Sequence, residues 1–195
     1  MTISLRIEII GIEPLIWRNV IVPSDIALDE LHSVIQGAMA WQDYHLHEFN
    51  IMNQTYGIPE SDEFGSEEAS LDERNVLLKP LVNNGDEFIY IYDFGDNWRH
   101  KIVVENIQND KSDPYNPVIP LCVGGERATP PEDCGGIYNY PNFVTSLKDR
   151  NHPEHKQNMK WSNAFQPEIF SISQATALIA CLYVRCFEKK GKQLV

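Results

Sequence analysis

Apolar and polar residues alternate from the first positions of the chain. Ile3, Leu5, Ile7 and Ile9 interleave with Thr2, Ser4, Arg6 and Glu8, the period of two that lays one face of a strand on a core. Turn formers follow from Gly11 to Pro14, and a second apolar run over 15–22, rich in β-branched residues, stops at Pro23, so the first two elements make a β-hairpin. From Leu28 the spacing changes to Leu28, Leu31, Ile35, Ala38 and Met39. This predicts a helix ending near Trp41 with Asp29, Glu30 and Gln36 facing solvent. Residues 45–52 then predict a third strand on which His45 and His47 share a face with Phe49 and Ile51.

Seven acids and no base lie between Glu60 and Glu73, with three serines and Gly65 among them, a composition that predicts an exposed loop. The alternating oxygen ligands and central glycine of an EF-hand loop are absent from it. Residues 88–94 are apolar on both alternations, as a strand covered on two sides requires. Past the Gly95-Asp96-Asn97 turn, Trp98, His100, Ile102 and Val104 alternate with Arg99, Lys101 and Glu105, which predicts the partner strand of a hairpin. A Pro- and Gly-rich stretch over 113–141 is long for a loop in a compact domain and is therefore a functional suspect. Helical patterns return at 142–148, in a segment ending at Trp161, and over 173–188 with a stripe of Leu178, Leu182 and Tyr183. The order β-β-α-β, then β-β, then helices implies an α+β fold: a mixed, mainly antiparallel, β-grasp-like sheet packed against helices, with additional C-terminal helices. One domain over 1–195 is expected, with 171–195 as a C-terminal helical extension.

Composition narrows the function classes. A hydrophobic content of 43% with 23% charged residues is a globular balance. The net charge of −12 removes the counterion-release drive behind unspecific nucleic-acid binding, and the one basic cluster, Lys189, Lys190 and Lys192, sits at a chain end. No basic and apolar signal segment opens the chain, and the longest apolar stretch, 175–184, is too short to span a bilayer. A cytoplasmic protein without membrane association is expected. The four cysteines are then reduced thiols; Cys122 and Cys134 flank a loop in which they can in principle meet.

Three motifs carry candidate chemistry. In His45-Leu46-His47, with His32 upstream, strand positions i and i+2 lie about 6.5 to 7 Å apart, near enough to share a metal ion; the alternative is a core histidine bonded to backbone. In the stretch from Tyr92 to His100, Asp93 and Asp96 flank a tight turn and His100 follows on the next strand. A carboxylate beside His100 raises its pKa and orients it as a general base; otherwise the aspartates cap the turn and His100 fills the core. The Asp-Phe-Gly triplet stands without the other signatures of a kinase. The third motif runs from Gly124 to Gly136, where two prolines and two glycine pairs hold Glu132, Asp133 and Cys134 in a shaped loop. Cys134 has no adjacent histidine to activate it.

Together with Pro14, Ile16, Trp17 and Arg18, Val22-Pro23, Leu31-His32, Trp41, Phe49, and Phe165, Pro167, Glu168 and Phe170, these motifs resemble the plasmid Ri ORF-three-like family, over most of the chain. The resemblance implies a small α+β domain of bacteria and archaea, sometimes carried on mobile elements, with no established activity. A resolvase label borne by some relatives finds no basic DNA-binding tail and no arginine-flanked serine here. Thr129 stands where relatives often have Cys, which weakens a cysteine-based metal site at Cys122 and Cys134, and Ala40 stands where they often have Gly.

Two principal functions fit: a binding module for a protein or peptide partner along a His- and Asp-lined groove, and a hydrolase, metal-assisted through His45, His47 or His100, with Asp93 or Glu132. A nucleic-acid-associated role on mobile elements ranks third on charge. No cofactor is specified. Because histidines on apolar strand faces need polar partners, the motifs are expected to converge so that His45 or His47, His100 and the Glu132-Asp133 pair share a pocket. The charge generates a direct test: in a gel-shift assay at about 150 mM salt the protein leaves duplex DNA unshifted, and sub-micromolar binding contradicts this reading.

Overall fold

The alternation at the N-terminus is spent on the middle of a sheet. Strand β1 (Thr2–Ile9) buries all four isoleucine and leucine side chains of its inner face, pairs antiparallel with β2 (Trp17–Pro23), and on its other side meets β7 (Trp98–Gln108). The computed structural model describes residues 1–59, 70–108, 118–163 and 165–191. Most of the acidic run, 60–69, part of the Pro- and Gly-rich stretch, 113–117, and Lys192 lie outside the described residues. Strands β3 (His47–Ile51), β4 (Gln54–Gly57), β5 (Leu71–Asp72), β6 (Glu87–Tyr92) and β8 (Leu121–Glu126) complete one sheet of order β5-β4-β3-β6-β7-β1-β2-β8. Among the described residues only β4 and β5 pair in parallel, so the sheet is mixed and mainly antiparallel, and with the four helices described the class is α+β.

The β6–β7 hairpin is the one the alternation predicts, with Trp98, His100 and Ile102 buried on one face and Tyr90 opposite His100. The Pro- and Gly-rich stretch, read from sequence as loop, contains β8 as an edge strand against β2. Gly124 and Gly125 hid it, since glycine is a poor strand former. Here the absence of a side chain is a packing requirement: a Cβ on Gly125 would lie 2.6 Å from the Phe170 ring and 2.8 Å from the Trp17 carbonyl.

Helix α1 (Leu28–Met39) corrects the expectation of a solvent-facing polar stripe. Glu30 and Gln36 are buried: α4 (Ile172–Lys189) packs along α1 and covers Glu30, while Gln36 turns to the sheet and donates to the Tyr90 hydroxyl at 3.1 Å. At Gly37 the two helices come so close that a Cβ would stand 2.5 Å from the Ile179 Cα. Glu30 spends one carboxylate oxygen on the Ala27 backbone N–H and the other on Lys190, at 3.1 and 3.0 Å. In α4 the buried stripe is Ala175, Ile179 and Tyr183, with Leu178 and Leu182 at its margin. Helices α2 (Gly136–Lys148) and α3 (His155–Trp161) fill the chain between β8 and α4. All four cysteines are free thiols.

Arg18 binds these layers together. Its guanidinium is 1% exposed, and its five N–H groups meet five acceptors: the carbonyls of Trp17, Ala38, Glu126 and Arg127 and the hydroxyl of Thr129, at 2.7 to 3.0 Å. These acceptors belong to β2, the end of α1, the end of β8 and the loop after it. The Phe170 ring lies 3.9 Å from the guanidinium carbon. Burial draws the guanidinium pKa down to about 10, so the side chain keeps its charge at neutral pH. An unmade hydrogen bond on a buried carbonyl costs about 1 to 3 kcal/mol, and Arg18→Met strands several at once. Urea denaturation is expected to show a loss of about 4 kcal/mol or more; a loss under about 1 kcal/mol, the size of an ordinary substitution, contradicts the role assigned to this residue.

Candidate functional site

Strand β3 starts at His47, so Tyr44 and His45 lie in the bend before it. The Tyr92 hydroxyl accepts the backbone N–H groups of Tyr44 and His45 at 3.0 and 3.4 Å and donates to Glu132 Oε1 at 2.5 Å. Glu132 Oε2 in turn accepts the Gln42 N–H at 3.0 Å, and the Trp41 indole donates to the Pro130 carbonyl at 2.9 Å. The third motif is thereby clipped onto the first. Burial, reinforced by the Glu132 carboxylate, raises the Tyr92 pKa, so Tyr92 is a stable donor.

The second motif joins at the same place. Asp93 and Asp133 both have left-handed backbone, φ 57° and 59°, a conformation that Asp tolerates better than most residues. Asp93 Oδ1 accepts the N–H groups of Gly95 and Asp96 at 2.9 and 3.3 Å, closing the turn. Asp96 Oδ2 accepts the Gly135 N–H at 3.1 Å, and a Cβ on Gly136 would stand 2.4 Å from the Asp96 carbonyl oxygen; the second glycine pair is there to let the loop meet the hairpin. The result aims Asp93 Oδ2 and Asp133 Oδ1 at His45 Nε2, at 3.6 and 3.2 Å. Neither contact has hydrogen-bond geometry, and His45 Nε2 is a buried atom without a partner. A polar atom left so costs about 1 to 3 kcal/mol.

His47 turns to a different cluster. Its Nε2 lies 3.0 Å from both oxygens of Glu73, and its ring stacks on His32 with centroids 3.5 Å apart and planes at 6°. His32 reaches Tyr90 and Asp43, each at 2.8 Å, and Gln36 links Tyr90 to the Asp43 backbone. Burial holds the His32 pKa below the ordinary value against the opposing pull of Asp43. Glu73, assigned from its acidic surroundings to a solvated loop, is 1% exposed because it is the partner His47 requires. Two imidazoles on one ion sit with ring centres about 4.5 to 5 Å apart at ordinary metal–nitrogen distances, so this stacked pair is built as a polar network.

His100 belongs to neither cluster. It is wholly buried between Trp41 and Tyr90, with Nδ1 3.4 Å from the Tyr90 carbonyl oxygen. Burial draws its pKa down to about 4, which is the core reading of that residue. Cys134 is buried, and burial together with the nearby Asp96 carboxylate pushes its thiol up to about 12, away from thiolate chemistry. Of the sequence candidates, His45, Asp93 and Asp133 come together, with Glu132 and Asp96 bracing them; His47, His100 and Cys134 stand apart. His32 was visible in the sequence only as a neighbour of the first motif, and Asp43 had no signal beyond its place in a turn.

A groove of ≈ 500 Å³ adjoins the site at Asp133, between the end of α1, the loop after β8 and the segment joining α3 to α4. Met39, Trp41, Tyr44, Pro130, Trp161 and Phe170 are among its lining residues. The family model described as plasmid pRiA4b ORF-3-like protein matches residues 1–174. The chain belongs to that family. Within reach of the family is the uncharacterised protein y4hQ of Sinorhizobium fredii (strain NBRC 101917 / NGR234), 33% identical over 165 residues that cover 82% of this chain and 79% of that protein. The crystal structure of a protein of unknown function from Methanosarcina mazei Go1 is similar with a TM-score of 0.72 and 33% identity, covering 88% of this chain and 96% of the other. These relatives are themselves uncharacterised, so the family supplies the fold and no activity. Among the described residues no helix is long and apolar enough to cross a membrane.

The depressed His100 pKa sets an acid response. The unfolded imidazole takes its proton near pH 6.5 and the folded one near 4, so this stability is complete above 6.5 and is lost as pH falls from 6.5 towards 4, by about 3 kcal/mol. Urea melts across that window are expected to fall more steeply for the native protein than for His100→Gln; parallel curves contradict the assignment.

Proposed function

We propose that the chain is an intracellular binding module whose groove beside Asp133 takes a short segment of a partner protein, apolar in its anchors and basic in its charge. One observation carries the reading: large apolar side chains stand open to solvent around the groove, with Tyr44 67%, Ile169 62% and Trp161 48% exposed. Surface apolar residues scattered singly need no explanation, but a group of them around a concavity marks a binding surface. Aromatic anchors of this kind carry most of the energy of peptide and protein recognition.

Charge selects the partner. Among the described residues, the charged side chains lining the groove are Arg18, Glu132 and Asp133. Arg18 has every N–H group engaged within the protein, which leaves an acidic occupant no free cation. A basic occupant meets Asp133 and the field of a chain with net charge −12, which speeds encounter and favours that sign of partner. Of the residues on which the hydrolase reading rests, His45 and Asp93 stand 3.6 Å apart, while His47 pairs with Glu73 and His100 with the Tyr90 carbonyl.

A random-peptide display selection against the protein tests the reading. Enriched peptides are expected to combine Trp, Leu or Phe with Lys or Arg and to bind with micromolar affinity, and Trp161→Ala and Ile169→Ala are each expected to weaken them about tenfold. Enrichment of acidic peptides, or binding untouched by both substitutions, overturns it.

A further inference from the structure

The orphaned nitrogen of His45 needs an explanation that the groove does not supply. Its Nε2 is inaccessible and makes no hydrogen bond, yet two carboxylate oxygens stand 3.2 and 3.6 Å away. All three donor atoms lie within 4.8 Å of one another. Donors around a single ion at about 2.0 to 2.2 Å are separated by about 3.0 to 3.6 Å, and they point at the ion rather than at each other. An imidazole that faces two carboxylates at co-ligand spacing, off the direction of a hydrogen bond, has that geometry.

We propose that His45, Asp93 and Asp133 form a binding site for a divalent transition-metal ion. The surrounding bonds support it, because two of the three ligand residues are held by groups outside the set. Asp93 is held through its other oxygen by the Gly95 and Asp96 N–H groups, and the His45 backbone is held by Tyr92. Outer contacts of this kind orient metal ligands. One imidazole with two carboxylates suits Zn²⁺, Mn²⁺ or Fe²⁺ better than Ca²⁺ or Mg²⁺, which take oxygen alone. Two carboxylates and a neutral imidazole bring two negative charges, which a divalent ion cancels. Three protein ligands leave coordination positions open, and Asp133, whose side chain is 67% exposed, puts them at the surface end of the groove. The ion there is able to polarise or hold an oxygen or nitrogen donor of whatever enters.

The site shares Asp133 with the peptide reading but is tested without a peptide. Tag-free protein, dialysed against a chelator, is titrated with Zn²⁺ by calorimetry and with Co²⁺ by visible absorption, with Mg²⁺ as a control. One ion per chain at micromolar or tighter affinity is expected, with Co²⁺ d–d bands. Asp133→Asn, which keeps a residue tolerant of the left-handed backbone at an exposed position, is expected to weaken binding at least tenfold with an unchanged circular dichroism spectrum. His45→Gln is expected to weaken it further. No saturable binding up to millimolar Zn²⁺ overturns the proposal and leaves His45 as an ion-pair partner of the two aspartates. Binding of equal strength in Asp133→Asn and His45→Gln also overturns it, by putting the ion elsewhere. If His45→Gln fails to fold, Asp133→Asn decides alone.

Discussion

A charged side chain without a carboxylate partner holds this protein together. Arg18 is taken out of water whole, and the cost of desolvating it is met by four carbonyl dipoles and a hydroxyl arranged around the planar fork, a geometry that arginine accepts and lysine does not. The acceptors come from three stretches of chain: Trp17 at the start of β2, Ala38 near the end of α1, and the run from Glu126 to Thr129. The edge strand β8 stays on β2, the end of α1 stays on the sheet, and the backbone at Arg127 and Thr129 is pinned before the loop turns towards Pro130. The carboxylates of Glu132 and Asp133 therefore hang from the same anchor.

Tyr92 plays the corresponding part on the opposite side of the site. Its strand is central, its ring lies on Trp41 with centroids 4.9 Å apart, and its hydroxyl is shared among the backbone of Tyr44 and His45 and the carboxylate of Glu132. Between the two anchors the chain adopts left-handed conformations at Asp93, Asn97 and Asp133. Such residues persist only where the surroundings over-determine them. Here the surroundings are the Asp96 bond to Gly135 and the close pass of Gly136 over the hairpin.

Periodicity revealed the central strands and the main helices because each of those elements has one buried face and a regular spacing. It failed where burial came from a partner far away in sequence. Glu30 read as solvent-facing because α4, which covers it, begins more than a hundred residues later, and Gln36 because its partner Tyr90 lies 54 residues on; Glu73 read as one acid among seven because its partner, His47, lies back on β3. The bend at His45 escaped notice for a related reason: alternation assumes continuous strand, and the hydroxyl of Tyr92 that interrupts it leaves no local pattern. The motifs themselves were visible, and of the expected convergence the part that joins His45 to Asp133 arises, with Asp93 beside them. It does not extend to His47 or His100, whose partners, Glu73 and the Tyr90 carbonyl, are supplied from outside the three motifs.

The contact at Gly37 has a consequence in time. Helix α1 ends at residue 39 and α4 begins at 172, so at about 5 to 20 residues per second a ribosome takes roughly 7 to 27 seconds to deliver the helix that the slot at Gly37 receives. Once β8 has been made, at residue 126, all the described strands are in hand, while α1 still presents an uncovered face with a glycine notch until α4 arrives. A nascent chain at this stage is finished at its centre and open at one side. Of the described helices, the last to be made is the one that seals it.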